Sequence, residues 1–128
     1  MEPKKKILIV DDDSFLLDMY ALKFSQSNFD VTISLGPEQA LTILRGGLVP
    51  DVMLLDIVMP VMDGFELMEK MKEENLAQSA IRIVLSNRGQ PADIARAESL
   101  GAAGYIVKAS STPAEVIEKV HSILSTKK

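Results

Sequence analysis

Short apolar runs recur along the chain at residues 7–10, 31–33, 52–55, 81–85 and 105–107. They are rich in β-branched and aliphatic residues, and three are nearly continuous instead of alternating with polar positions. Such runs suit strands covered on both faces, as in a parallel sheet. Helical spacing fills the gaps. Residues 14–27 carry Phe15, Leu16, Met19, Tyr20 and Leu22 as a helical apolar set. Residues 37–45 open with proline and stop at Gly46-Gly47. Residues 65–75 place Glu66 four positions before Lys70, an orientation that supports a helix. Residues 91–100 end at Gly101, which fits a left-handed cap. Thr112-Pro113-Ala114-Glu115 reads as a capping box ahead of the stripe Val116, Ile117, Val120, Ile123 and Leu124.

This is a (βα) unit repeated five times. Alternating strands and helices predict an α/β fold whose parallel sheet is covered on both faces by right-handed crossovers. Five units cannot close an eight-stranded barrel, so an open, doubly wound sheet is expected. The 128 residues suit one domain, with a core over about 5–126 and short basic tails.

Composition narrows the function. Hydrophobic residues make up 47% of the chain and the formal net charge is -4, which disfavours a direct grip on nucleic acid. Lys4-Lys5-Lys6 and Lys127-Lys128 read as solvated tails. Cysteine is absent, which removes disulfide and thiolate chemistry. No apolar stretch approaches the roughly 18 residues of a membrane span, and the start is too short for a signal peptide. A cytoplasmic protein with no membrane partner is expected.

Open α/β sheets bind ligands beyond the carboxyl ends of their strands. Those ends carry Asp11-Asp12-Asp13, Ser34, Asp56, Ser86-Asn87 and Lys108. Taken singly, each has an ordinary explanation: Asp13 or Ser14 suits a helix cap, Ser86 a turn hydroxyl and Lys108 a solvated surface. Together, Asp11, Asp12 and Asp56 would meet in one crevice. Two carboxylates 4 Å apart repel by about 4 kcal/mol at an effective dielectric near 20. A hard divalent cation with oxygen ligands relieves this, and magnesium (Mg2+) is often held by one or two carboxylates plus phosphate oxygens. Ser86 adds a hydroxyl and Lys108 a positive charge. Phosphoryl transfer needs these elements because it is mostly positioning and charge neutralisation.

Other classes fit less well. The glycine-rich nucleotide fingerprints are missing, and the acidic first loop would repel a bare phosphate. A haloacid-dehalogenase-type phosphatase would use Asp11-x-Asp13, then Ser86 and Lys108. That family needs a late acidic pair, whereas only Glu115 and Glu118 follow Lys108, and Asp56 would have no role.

Four fragments make the sequence similar to a known family. They are Ile7-Leu8-Ile9-Val10-Asp11-Asp12-Asp13, the stretch from Asp51 through Asp56 and Pro60 to Asp63-Gly64, Ile83-Val84-Leu85-Ser86, and Gly101-Ala102-Ala103-Gly104-Tyr105-Ile106-Val107-Lys108. In this order they resemble response-regulator receiver domains of two-component signalling, over about residues 5 to 126. The resemblance implies a flavodoxin-like sheet of strand order 2-1-3-4-5. It implies Asp56 as phosphoacceptor, and Mg2+ held by Asp11, Asp12, Asp56 and the backbone carbonyl of Val58. It implies Ser86 and Tyr105 as switch residues and Lys108 as the cation paired with the phosphoryl group. The donor would be the phosphohistidine of a histidine kinase or phosphotransfer protein. The reader would be a downstream output protein or domain at the surface of the fourth helix, fifth strand and fifth helix. Such a protein is a regulator and not an enzyme in the usual sense, and a monomer or weak dimer is expected. A receiver that binds without being phosphorylated is a further alternative.

The pattern also departs from the family. Ala109 stands where proline usually follows the lysine, so a trans Lys108–Ala109 bond is expected. Asn87 stands where a small residue is usual. Val58, Asn87 and Arg88 sit where side chains modulate the approach of water to the phosphoryl group, and Val58 cannot orient water by hydrogen bonding. Slow self-dephosphorylation is expected.

Overall fold

A computed structural model describes residues 4–126. Five strands, β1 (Lys5–Asp11), β2 (Phe29–Leu35), β3 (Val52–Leu55), β4 (Ile81–Ser86) and β5 (Gly104–Val107), alternate with helices. The helices are α1 (Ser14–Gln26), α2 (Pro37–Arg45), α3 (Gly64–Glu73), α4 (Pro91–Ser99) and α5 (Pro113–Thr126). The strands form one parallel sheet in the order β2-β1-β3-β4-β5, as the resemblance implied.

Successive strand residues point to opposite faces, so each buried run supplies two cores. Leu8, Val10, Met53, Leu55 and Val84 pack with Leu41, Leu44, Phe65, Met68 and Ala97 from α2, α3 and α4. Ile7, Ile9, Val52, Leu54, Ile83, Leu85 and Ile106 pack with Leu17, Phe24, Val116 and Val120 from α1 and α5. All four residues of β3 are fully buried, which explains its uninterrupted apolar sequence.

Some local expectations are corrected. On α1 the core stripe is Leu17, Tyr20 and Phe24, while Phe15 is 77% exposed and Leu22 58% exposed. Apolar residues lie nearly all round this helix, so the sheet and α5 select its inner face. Lys5 and Lys6 are not tail residues: they open β1, opposite Phe29 and Asp30 of β2, and the Lys6 amide donates to the Asp51 carboxylate at 2.7 Å. Lys127-Lys128 lie outside the described residues. In α3, Glu66 does not pair with Lys70. Its carboxylate accepts from the Asp63 amide at 3.0 Å, and Asp63 accepts from the Glu66 amide at 2.8 Å, a reciprocal cap that starts the helix at Gly64. The Thr112–Glu115 box and the left-handed Gly101 form as expected. No described residue follows a cis peptide bond, so Lys108–Ala109 is trans.

Candidate functional site

Backbone pairing sets the site. The Asp56 amide donates to the Val10 carbonyl at 3.0 Å, extending the β1–β3 ladder one residue past β3. This puts Asp56 beside Asp11, the last residue of β1. Both are buried, while Asp12 is exposed at the rim. One carboxylate oxygen from each of Asp11, Asp12 and Asp56 lies within 4.8 Å of the others. Asp13 turns away from them: its carboxylate accepts from the amides of Phe15 and Leu16 at 3.0 and 3.2 Å and caps α1.

Gly64 holds the Asp56 loop in place from the far side. A Cβ at Gly64 would lie 2.4 Å from the Asp56 carbonyl oxygen and 2.8 Å from the Ile57 Cα, so only glycine admits this approach. The Gly64 amide also donates to the Ile57 carbonyl at 3.2 Å. Between them the chain reverses at Val61, with φ 72, and the Met62 amide donates to the Pro60 carbonyl at 2.8 Å.

Lys108 comes off the end of β5 into a single 3-10 turn, Lys108–Ser110. Its Nζ donates to Asp11 Oδ2 at 2.7 Å and to Asp56 Oδ2 at 2.9 Å. Burial alone would lower the lysine pKa, but these two carboxylates outweigh it and hold it above its ordinary value. Asp11 responds differently. Burial raises its pKa, and the bonds from Lys108 and the Asp13 amide only partly offset that. The single ammonium supports its own charge fully but is shared between two acids. Asp56 keeps its second oxygen on the Val58 amide at 3.0 Å.

Ser86 ends β4 and is fully buried. Its Oγ accepts from the Arg88 amide at 3.2 Å, so the hydroxyl keeps its proton for another partner. Tyr105, half-buried on β5, donates its hydroxyl to the Arg88 carbonyl. Burial pushes its phenol pKa up. The expected residues Asp11, Asp12, Asp56, Val58, Ser86, Asn87, Arg88 and Lys108 thus line one open depression of about 470 Å³. Tyr105 stands behind its wall.

Three features escaped sequence reasoning. Leu16 also lines the depression. Gly64 entered only as the end of a fragment, with no role of its own, although its place ahead of a helix and after a strand-end acid is a usable signal. Asp93 forms an ion pair with Arg88 at 3.1 Å, for which the sequence carries no spacing rule.

The donor set suits a hard divalent cation. Three carboxylates against one ammonium leave a formal charge of two minus in a partly buried site, and all the donors are oxygen. A phosphatase of the haloacid-dehalogenase type fits poorly, because Asp13 is engaged as a cap and Glu115 closes the box with Thr112. Among the described residues no helix is long and apolar enough to cross a membrane.

Comparison with known proteins agrees with this geometry. The profile of the response regulator receiver domain matches residues 7–121. The response regulator SaeR of Staphylococcus aureus is 30% identical over 122 residues, 95% of this chain and 51% of SaeR. The chain therefore spans about half the length of the curated relatives it matches. A CheY-like receiver domain protein from Methanospirillum hungatei superposes with a TM-score of 0.84 at 27% identity, covering 96% of this chain and 95% of that one. The N-terminal domain of a response regulator/sensory box/GGDEF protein from Carboxydothermus hydrogenoformans gives a TM-score of 0.81 at 30% identity, with 95% of each chain covered. With its profile, its sheet order and its strand-end acids in agreement, this chain belongs to the response regulator receiver domain family.

Proposed function

We propose that this chain is a cytoplasmic, phosphorylatable switch in which Asp56 takes a phosphoryl group from the phosphohistidine of a histidine kinase or phosphotransfer protein. The observation that carries this reading is the shared grip of Lys108 on Asp11 and Asp56, with Asp12 within metal-ligand reach. Asp11, Asp12, Asp56 and the Val58 carbonyl would hold Mg2+, which when bound would neutralise charge on the phosphoryl oxygens. An Asp56 carboxylate oxygen attacks phosphorus in line as the bond to the imidazole nitrogen breaks. The electron pair returns to the imidazole, and no net proton is lost by Asp56. Lys108 supplies fixed positive charge in a site already organised to receive it. Ser86 has a free hydroxyl proton to offer a phosphoryl oxygen, and Tyr105 follows through its bond behind the Ser86 loop. The surface of α4, β5 and α5 would then present the changed state to an output protein or domain.

Val58 is half exposed at the pocket but apolar, and Asn87 crowds the approach without an acidic or basic function. Self-dephosphorylation is accordingly slow, with a phosphorylated lifetime much longer than seconds. Intact mass after incubation with acetyl phosphate and Mg2+ tests the assignment. A single phosphate adduct is expected on the wild type and none on Asp56→Asn. An adduct of equal yield on the variant would move the site elsewhere.

A further inference from the structure

Two cations line the pocket, and they are held differently. Lys108 is fixed at its floor between Asp11 and Asp56. Arg88 stands on the loop between β4 and α4, half exposed, with its guanidinium paired with Asp93 at 3.1 Å. Its backbone is pinned on both sides, the amide by Ser86 Oγ and the carbonyl by the Tyr105 hydroxyl. Asp93 uses its other carboxylate oxygen to accept from the Gln90 amide at 3.3 Å, which closes the first turn of α4. One arginine thus meets the pocket hydroxyl, the β5 aromatic and the acid at the start of α4.

We propose that Arg88 is a charge-operated latch: its guanidinium rests on Asp93 while Asp56 is unmodified and transfers to the phosphoryl group once Asp56 carries one. The proposal rests on Asp56 being the phosphoacceptor. Its physical basis is competition. The Arg88 side of this pair is 47% exposed and the Asp93 side 15%, so water reaches the guanidinium and screens the attraction. An aspartyl phosphate carries about two negative charges, roughly one more than the carboxylate it replaces, and offers three acceptor oxygens, of which a guanidinium can engage two at once. The Arg88 amide already lies 3.2 Å from Ser86 Oγ, so the side chain starts within the pocket wall. One guanidinium cannot serve both partners. Its departure leaves Asp93 with the Gln90 bond alone and pulls on the carbonyl that Tyr105 holds. Both changes reach the α4–β5 surface from a single event. Lys108 cannot do this, since both its partners lie on the pocket floor.

The test uses the full chain, nitrogen-15 labelled, with arginine Nε–H and backbone amide signals followed by NMR before and after acetyl phosphate and Mg2+. In a sample that intact mass shows to be phosphorylated, the Arg88 Nε–H signal is expected to move and to exchange more slowly with water. In unphosphorylated Asp93→Asn, the Ile94 and Ala95 amides are expected to move at least halfway toward their phosphorylated wild-type positions. An unchanged Arg88 signal in a phosphorylated sample, or unmoved α4 amides in Asp93→Asn, overturns the latch alone. Absence of any adduct on the wild type overturns the phosphoacceptor reading, and the latch with it.

Discussion

Two ion-pair sites in this molecule invite comparison. Arg45 at the end of α2 grips Glu74 just past α3 with two bonds, 2.8 and 2.6 Å, in the fork geometry that guanidinium and carboxylate favour. Lys108 makes two single bonds, 2.7 and 2.9 Å, to two different acids. By geometry alone the first site is the better one. Its side chains, however, are 50% and 32% exposed, whereas those of Lys108, Asp11 and Asp56 are 10%, 6% and 7% exposed. Arg45–Glu74 is balanced and wet. The Lys108 site is largely buried and one positive charge short for its two acids. A buried deficit of this kind supports the proposed cation site, because a bound cation would relieve it.

The comparison breaks most directly at Lys108. Lys108→Ala leaves Asp11 and Asp56 facing each other without their cation. Metal-free stability is expected to fall by about 2–3 kcal/mol, the usual consequence of stranding buried charge after allowance for water entering the open pocket. Mg2+ should restore most of that loss, since it replaces the missing positive charge. Urea unfolding with chelator and with Mg2+ reads both quantities, and equal stability of variant and wild type in chelator would contradict the picture.

The next effect acts through backbone position. Gly64→Ala places a methyl group against the Asp56 carbonyl and the Ile57 Cα, atoms that cannot swing aside. A loss of about 1–3 kcal/mol is expected from such overpacking. The Asp56 loop must shift, so the rate of phosphate incorporation from acetyl phosphate should fall more than tenfold, even at temperatures where the variant is folded.

The third effect is a pH dependence. Burial raises the Asp11 pKa, so the folded chain binds a proton that the unfolded chain has released. Metal-free stability therefore declines as pH rises from the ordinary value of 3.8 through the raised folded value. Lys108 works at the other end. Its raised pKa gives stability that is complete below 10.5 and is lost as pH climbs through the higher folded value. Because cation binding requires ionised carboxylates, the stabilisation by Mg2+ should grow as pH rises across the Asp11 window. Chelator and Mg2+ unfolding series from pH 4 upward, at about half-unit steps, would reveal the opposite slopes.

What the sequence made legible follows the same division between sheet and surface. A parallel sheet turns each strand end into an address, so Asp11, Asp56, Ser86 and Lys108 could be placed together before any coordinate was known. Helix α2 was equally readable, because Pro37 and the glycine pair after Arg45 mark its ends by local chemistry. The inner face of α1 was not, since Phe15 and Leu22 are as apolar as Leu17 and Phe24, and only the partner elements choose between them. The start of β1 was missed because Lys5 and Lys6 are held by pairing with β2, a long-range contact that overrides their charge. The pairing of Arg88 with Asp93 depends on the path of an irregular loop, and no periodicity encodes it.

The smallest expected effect completes the comparison. Arg45→Ala removes the better-formed of the two ion pairs. The Glu74 carboxylate, whose pKa the bond from Arg45 holds below its ordinary value, then becomes an ordinary solvated acid with water in place of the guanidinium. No buried group is stranded, and the Glu74 amide keeps its bond to the Lys70 carbonyl at 2.9 Å, so the end of α3 stays closed. The unfolding midpoint at neutral pH should shift by no more than repeat measurements do, and phosphate incorporation at Asp56 should match the wild type. If Arg45→Ala instead lowered stability as much as Lys108→Ala, bond geometry and not burial would govern both sites. The charge deficit around Asp56 would then lose its standing as the mark of function.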